Sequence, residues 1–241
     1  MDTVQKKTIG AYVAQDFRTA ALFSKYKIDF CCKGDKTLEE VCQTKGLDLH
    51  QIESEINAVL NSSSSSEIDF KSFSPTLLID YILETHHAYV QEKTPVLSAY
   101  LDKLCKVHGD RHPELFEINY LFSVSATDLL QHLQKEESIL FPYIKIMTNA
   151  IKNNENIQQP GFGSVENPIA MLKQEHETEG DLFVEIAKLT NGYTPPNDAC
   201  ETYKVTFGML KEYEEDLHKH IHLENNILFE KAKEMEQKLV F

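Results

Sequence analysis

Two copies of one short pattern constrain this chain more than any other feature. His132 and Glu136 lie four apart and are followed by Ile139-Leu140-Phe141; His220 and Glu224 lie four apart and are followed by Ile227-Leu228-Phe229. Side chains four apart share one face of an α-helix, one turn above each other, so each pair can aim an imidazole and a carboxylate at one place. Leu129, Leu133 and Leu140 flank the first pair, and Leu217, Ile221, Ile227 and Leu228 flank the second. Both pairs therefore face or border a core. A carboxylate in a core is costly unless it is paired or binds a cation. One such pair alone reads as an ordinary contact on a solvated helix face. Two, on separate helices with the same apolar tail, point to helices that face each other across metal.

The rest of the long C-terminal part supplies such helices. Ser74-Pro75 opens the first, which runs through Leu77, Leu78, Tyr81 and Ile82 toward Val107, with Pro95 expected to kink or interrupt it. The second runs from near Pro113 to about Ala150, with Pro142 near its end, and residues 151–165 form a connection. The third runs from about Pro168 to Leu189 and stops at Asn191-Gly192, and the fourth starts around Pro195-Pro196 and continues almost to the C-terminus. No useful stretch alternates like a strand. The expected fold is all-α, an antiparallel four-helix bundle over residues 70–241.

Five consecutive serines within Asn61–Glu67 bring neither apolar surface nor helix propensity, so residues 61–69 read as a linker. Residues 1–60 before it carry three amphipathic stretches. One is Val13 to Tyr26, one is capped by Thr37, and one is capped by Asp48 with Ile52, Ile56, Val59 and Leu60 on one face. Such a short piece is marginal alone, so a small helical N-terminal domain is expected to lean on the bundle or on a second copy in a homodimer.

Composition narrows the class. Only 9 glycines and 8 prolines in 241 residues, and no Trp, suit a helical protein. With 24 basic against 38 acidic residues, a net charge of −14, nucleic acid and membrane surfaces are poor partners. No run of about 18 apolar residues is present to span a bilayer. The N-terminal MDTVQKKTIG lacks the apolar stretch of a signal peptide, and five unevenly spaced cysteines read as reduced thiols. A cytoplasmic location is expected.

The other two bundle helices each offer a histidine, His87 (beside His86) on the first and His176 on the third. Four imidazoles and two carboxylates, at least one from each helix, form a dinuclear ligand set. Imidazole suits iron, zinc, copper and nickel, and carboxylate adds a hard oxygen that can bridge two ions. Structural zinc favours cysteine-rich tetrahedral sites, so a non-haem di-iron centre fits best, with manganese and zinc as alternatives. Periodicity alone does not separate His86 from His87. His218 and His222 flank His220 on other faces, where they meet solvent or the surroundings of the ligands, as does Glu175. His50 reads as an ordinary residue of the N-terminal part.

Cys31 and Cys32 are adjacent, too close for a relaxed disulfide, with Lys33 next to them to lower a thiolate pKa. They read either as a redox-active or iron-handling pair or as two small buried residues in a turn. Cys42 is a candidate companion. Cys105 and Cys200 sit in ordinary surroundings and read as inert.

These motifs resemble hemerythrin-like bundles and, more specifically, the iron–sulfur cluster repair proteins of the repair-of-iron-centres family. The resemblance spans nearly the whole chain: ALFSKYKIDFCCKGDKTLEEVC, HLQKEESILFP, KQEHETEG with TPP downstream, and HIHLENNILF. It implies metal ligands His87, His132, Glu136, His176, His220 and Glu224, with His87 preferred over His86 by its distance from Pro95. It adds His108, in KVHGD, as a further ligand candidate, and it favours a role for Cys31 and Cys32. The implied cofactor is two non-haem iron ions with an oxo or hydroxo bridge, leaving each ion short of a full octahedron. The implied function is repair of iron–sulfur clusters damaged by oxidative or nitrosative stress, with the damaged proteins as partners. Nitric oxide or peroxide reduction is the alternative, as is an oxygen or nitric oxide carrier or sensor; a pure carrier has no need of thiols.

Overall fold

In a computed structural model of the chain, residues 7–62 and 68–239 are described, and most of the serine-rich stretch expected as a linker lies outside them. Four helical rods make up the larger part. The first is α5 (Pro75–Ile82), a π-helical turn (Leu83–His87) and α6 (Ala88–His108). The second is α7 (Glu114–Lys135), a π turn (Glu136–Leu140) and α8 (Phe141–Asn153). The third is α9 (Glu166–Leu189) alone, and the fourth is α10 (Glu201–Leu223), a π turn (Glu224–Leu228) and α11 (Phe229–Glu236). Contacts of α6 with α7, α7 with α9, α9 with α10, and α10 with α6 close the ring, so each rod lies beside its sequence neighbours. This is an antiparallel four-helix bundle. Among the described residues no helix is long and apolar enough to cross a membrane.

Two helix boundaries differ from expectation. Pro95 lies inside α6 without interrupting it. Pro95 and Gln91, whose carbonyl loses its partner, both face solvent, so water can take over that bond. The fourth rod begins at Glu201, after the Pro195-Pro196 segment, rather than within it. The third ends as its sequence indicates, with Asn191 and Gly192 at φ 48° and 65°.

Before the bundle come α1 (Ile9–Gln15), α2 (Thr19–Lys25), α3 (Leu38–Lys45) and α4 (Leu49–Asn61). The single stretch expected from Val13 to Tyr26 is thus split, and Thr19 closes the break by donating its hydroxyl to the Asp16 carbonyl at 2.8 Å. Thr37 forms a capping box with Glu40, and Asp48 caps α4.

These short helices are seated on the bundle, joining one apolar cluster with α6, α7, α9 and α10. Phe17 and Phe30 pack on His222, with ring centroids 5.9 and 6.0 Å away, and Phe30 also meets His218 at 6.1 Å. His222, 1% exposed, and the half-buried His218 are therefore interface residues. The Lys219 ammonium lies over the rings of Phe17, Phe70 and Tyr81 at 5.5, 5.4 and 5.9 Å, tying both parts together. Within the N-terminal part the Gly10 amide donates to the Gly34 carbonyl at 2.7 Å, and both glycines lie against Asn226 of the bundle. A Cβ on Gly10 would lie 2.2 Å from Asn226 Oδ1, and one on Gly34 only 2.4 Å from the Phe30 carbonyl. The contact at Gly34 is with backbone, so only glycine fits there, whereas at Gly10 the Asn226 side chain would have to shift.

A second apolar cluster, from α5, α8, α11 and the start of α9, fills the other end of the bundle. Between the two clusters lie the histidines and glutamates.

Candidate metal centre

The three π turns fall where ligands are needed. His87 ends the first, Glu136 opens the second and Glu224 opens the third. A π turn inserts one extra residue and so shifts which face the following side chains occupy. Glu136 and the downstream Leu140, Phe141 and Ile144 can then all point inward, as can Glu224 with Ile227, Leu228 and Phe229. The repeated Ile-Leu-Phe tails mark this shift in the sequence.

The structure brings six of the seven expected ligands together. His87, Glu136, His220 and Glu224 form one group, and His132, Glu136, His176 and Glu224 a second, each with donor atoms within 4.8 Å of one another. All six are at most 1% exposed. Each glutamate divides its oxygens between the groups. Glu136 Oε1 is 3.4 Å from His132 Nε2 while its Oε2 is 3.4 Å from His87 Nε2. Glu224 Oε1 is 2.8 Å from His220 Nε2 while its Oε2 is 3.3 Å from His176 Nε2.

His108 stands elsewhere. It ends α6, 21 residues beyond His87, which at ~1.5 Å per residue is roughly 30 Å away along the same rod. There its Nε2 lies 3.2 Å from Cys200 Sγ and its ring packs edge-on against Tyr203. One continuous helix places the two histidines at its opposite ends, so His108 stands apart from both groups of donors.

Hydrogen bonds outside the cluster orient three of the four imidazoles. His87 Nδ1 donates to Glu137 Oε1 and His132 Nδ1 to Glu175 Oε2, each at 2.8 Å. His176 Nδ1 donates to Asn225 Oδ1 at 3.0 Å, and the Asn225 amide donates to the Cys31 carbonyl at 3.1 Å. Lys135 in turn pairs with Glu175. A carboxylate or amide oxygen can only accept, so each ring carries a proton on Nδ1 and turns Nε2 inward, where a cation in place of a proton would find its lone pair. Glu137 and Asn225 were not singled out by their sequence context, although each directly follows a ligand glutamate.

These groups fit a cation, and two observations say so. His87 Nε2, both oxygens of Glu136 and Glu224 Oε2 are buried without a hydrogen-bond partner. The Nε2 atoms of His132 and His176 face each other at 2.9 Å, an arrangement of two lone pairs that only a shared proton or cation makes favourable. The protein alone answers with protons. Burial opposes a charge on His87, but Glu136 and Glu224 prevail and push it up to about 10; His132 rises to about 9 by the same contest. Glu224, despite burial, is held well below the usual carboxylate range by His220, His176 and His87. Burial keeps His220 below its ordinary value.

Cys31 and Cys32 lie beside this centre. Their sulfurs are 3.6 Å apart, and with Asp29 they form a third group of donors within 4.8 Å. The Cys32 thiol donates to the His176 carbonyl at 3.3 Å. The bond to Cys32, then burial, pushes the Cys31 thiol well above its usual value, so Lys33 does not prevail there. Cys42 is buried on α3, apart from the pair.

A four-helix bundle whose core holds paired His/Glu sets with shared carboxylates defines a hemerythrin-like cation-binding protein. Residues 78–232 match the hemerythrin HHE cation-binding domain, and residues 5–60 match a domain of unknown function (DUF542). The chain belongs to the hemerythrin HHE cation-binding family. These include the iron–sulfur cluster repair protein ScdA of Staphylococcus haemolyticus, 31% identical over 95% of this chain and 99% of the relative. The iron–sulfur cluster repair protein YtfE of Yersinia pseudotuberculosis is 33% identical over 95% and 97%, and that of Escherichia coli O157:H7 is 35% identical over 89% and 91%.

Proposed function

We propose that this chain holds two iron ions between its four rods and serves in the repair of iron–sulfur clusters damaged by oxidative or nitrosative stress in the cytoplasm. The observation that carries the reading is the sharing of Glu136 and Glu224 between two buried histidine pairs. His87 and His220 would hold one ion, His132 and His176 the other, with both glutamates bridging. A bound iron pair supplies redox chemistry and open positions for small ligands such as nitric oxide, oxygen or peroxide. The chain's own part is to present neutral Nε2 donors, to supply two negative charges, and to keep apolar clusters on both sides that exclude water. Residues 1–60 act as a thiol-bearing unit on the 70–241 bundle. Cys31 and Cys32, with Asp29, handle iron or electrons at the His176 side. The naming of the relatives as iron–sulfur cluster repair proteins supports repair, with damaged iron–sulfur proteins as partners.

The test is metal analysis and Mössbauer spectroscopy of anaerobically purified protein, before and after incubation with a cluster-depleted iron–sulfur protein. Two irons per chain and restored clusters are expected. One tightly held zinc and no iron would overturn the reading.

A further inference from the structure

Three of the four inward imidazoles have an outer hydrogen-bond partner, namely Glu137, Glu175 or Asn225. His220 is the exception. It is fully buried and its Nδ1 meets no protein acceptor. A ring that offers the Nε2 lone pair to a cation must carry its proton on Nδ1, so this buried atom is a donor. Burial of a donor without an acceptor is costly.

Two unused acceptors lie next to it. Asp216 sits four residues before His220, one turn earlier on the same face of α10. Its Oδ1 accepts from His86 Nδ1 at 2.8 Å, while its Oδ2 is buried without a partner. His86 is 1% exposed, and its ring lies parallel to that of His220, with centroids 5.7 Å apart. With His86 Nδ1 donating to Asp216, the other ring nitrogen, Nε2, is the one left to accept, and that atom too lacks a partner. One donor and two acceptors thus remain among three neighbouring side chains. A single water matches this set, accepting from His220 and donating to the other two, and three partners are typical of a buried water.

We propose that Asp216 and His86 are the positioning residues of His220, acting through one buried water bound by His220 Nδ1, Asp216 Oδ2 and His86 Nε2. The inference rests on the metal pair proposed above. The two adjacent histidines then differ in what they do. His87 faces the metals, and His86 steers a ligand on another helix. The Asp216–His86 pair thereby completes the set of outer supports and acts on the ion held by His87 and His220.

The experiment compares wild type, Asp216→Ala, Asp216→Asn, Asp216→Glu, His86→Phe and the exposed control Glu215→Gln. Full-length protein is loaded with iron(II), or with cobalt(II) for its optical bands, and each metal is withdrawn by a graded chelator. Asp216→Ala and His86→Phe are expected to weaken one of the two ions by about 10- to 100-fold and to alter half of the cobalt spectrum. Asp216→Asn should weaken it too, whereas Asp216→Glu should restore it in large part and the control should match wild type. A crystal structure of the loaded wild type should show a solvent atom within hydrogen-bond reach of all three groups. Equal retention of both ions in every variant would overturn the inference, as would equal loss of both ions together with a lower melting temperature of the metal-free protein. Wild type that binds no metal would instead overturn the function proposed above.

Discussion

Replacing Glu179 by Gln should make the metal-free protein more stable in mild alkali and leave it nearly unchanged in mild acid. Glu179 lies on α9, three residues past His176, is 2% exposed, and accepts the Ser125 hydroxyl at 2.6 Å. Burial pushes its carboxyl from 4.5 up to about 7; Ser125 and His132 oppose the rise, and Asp128 and Glu175 assist it. The folded protein therefore binds this proton more tightly than the unfolded chain does. Its stabilising contribution is complete below pH ~4.5 and is lost as pH rises through about 7. At ~1.4 kcal/mol per pH unit the loss is about 3 kcal/mol. Glutamine keeps the volume and still accepts from Ser125, but it never ionises. Urea unfolding of the metal-free wild type and Glu179→Gln at pH 5 and pH 8 measures the difference. The variant should exceed wild type by no more than about 1 kcal/mol at pH 5 and by about 3 kcal/mol at pH 8. A gap between the two that stays constant with pH would refute the reasoning, since the buried carboxyl would then not change its charge on folding.

Three other outcomes follow from the geometry. Gly34→Ala should loosen the N-terminal helices, because its Cβ meets the rigid Phe30 carbonyl at 2.4 Å; limited proteolysis should cut before residue 70 faster while the bundle keeps its metal. Asn225→Ala removes both the His176 partner and the anchor of the Cys31 carbonyl, so chelator competition should show metal bound about 10- to 100-fold more weakly and proteolysis should show the same loosening. His132→Ala should lose at least one metal ion in elemental analysis, whereas His108→Ala should retain both, because His108 lies at the far end of α6.

Much of this protein is determined by its sequence. The two His-x-x-x-Glu pairs with their Ile-Leu-Phe tails dictate helices and an inward face, because period and apolar pattern act locally. Six candidate ligands could be named because each side chain reports its own helix face, and the family resemblance favoured His87 over His86. What sequence cannot carry is distance between elements. His108 matched a motif yet lies roughly 30 Å along its helix from the centre, since rise per residue forbids one rod from bending back. His218 and His222, on other faces of α10, pack against the N-terminal helices, which the serine-rich linker alone would leave farther off. Outer partners such as Glu137 and Asn225 were decided only by packing, because a hydrogen bond between helices depends on their register and crossing. The close contact at Gly10, Gly34 and Asn226 likewise depends on how the two parts meet, and no local pattern in the chain records that meeting.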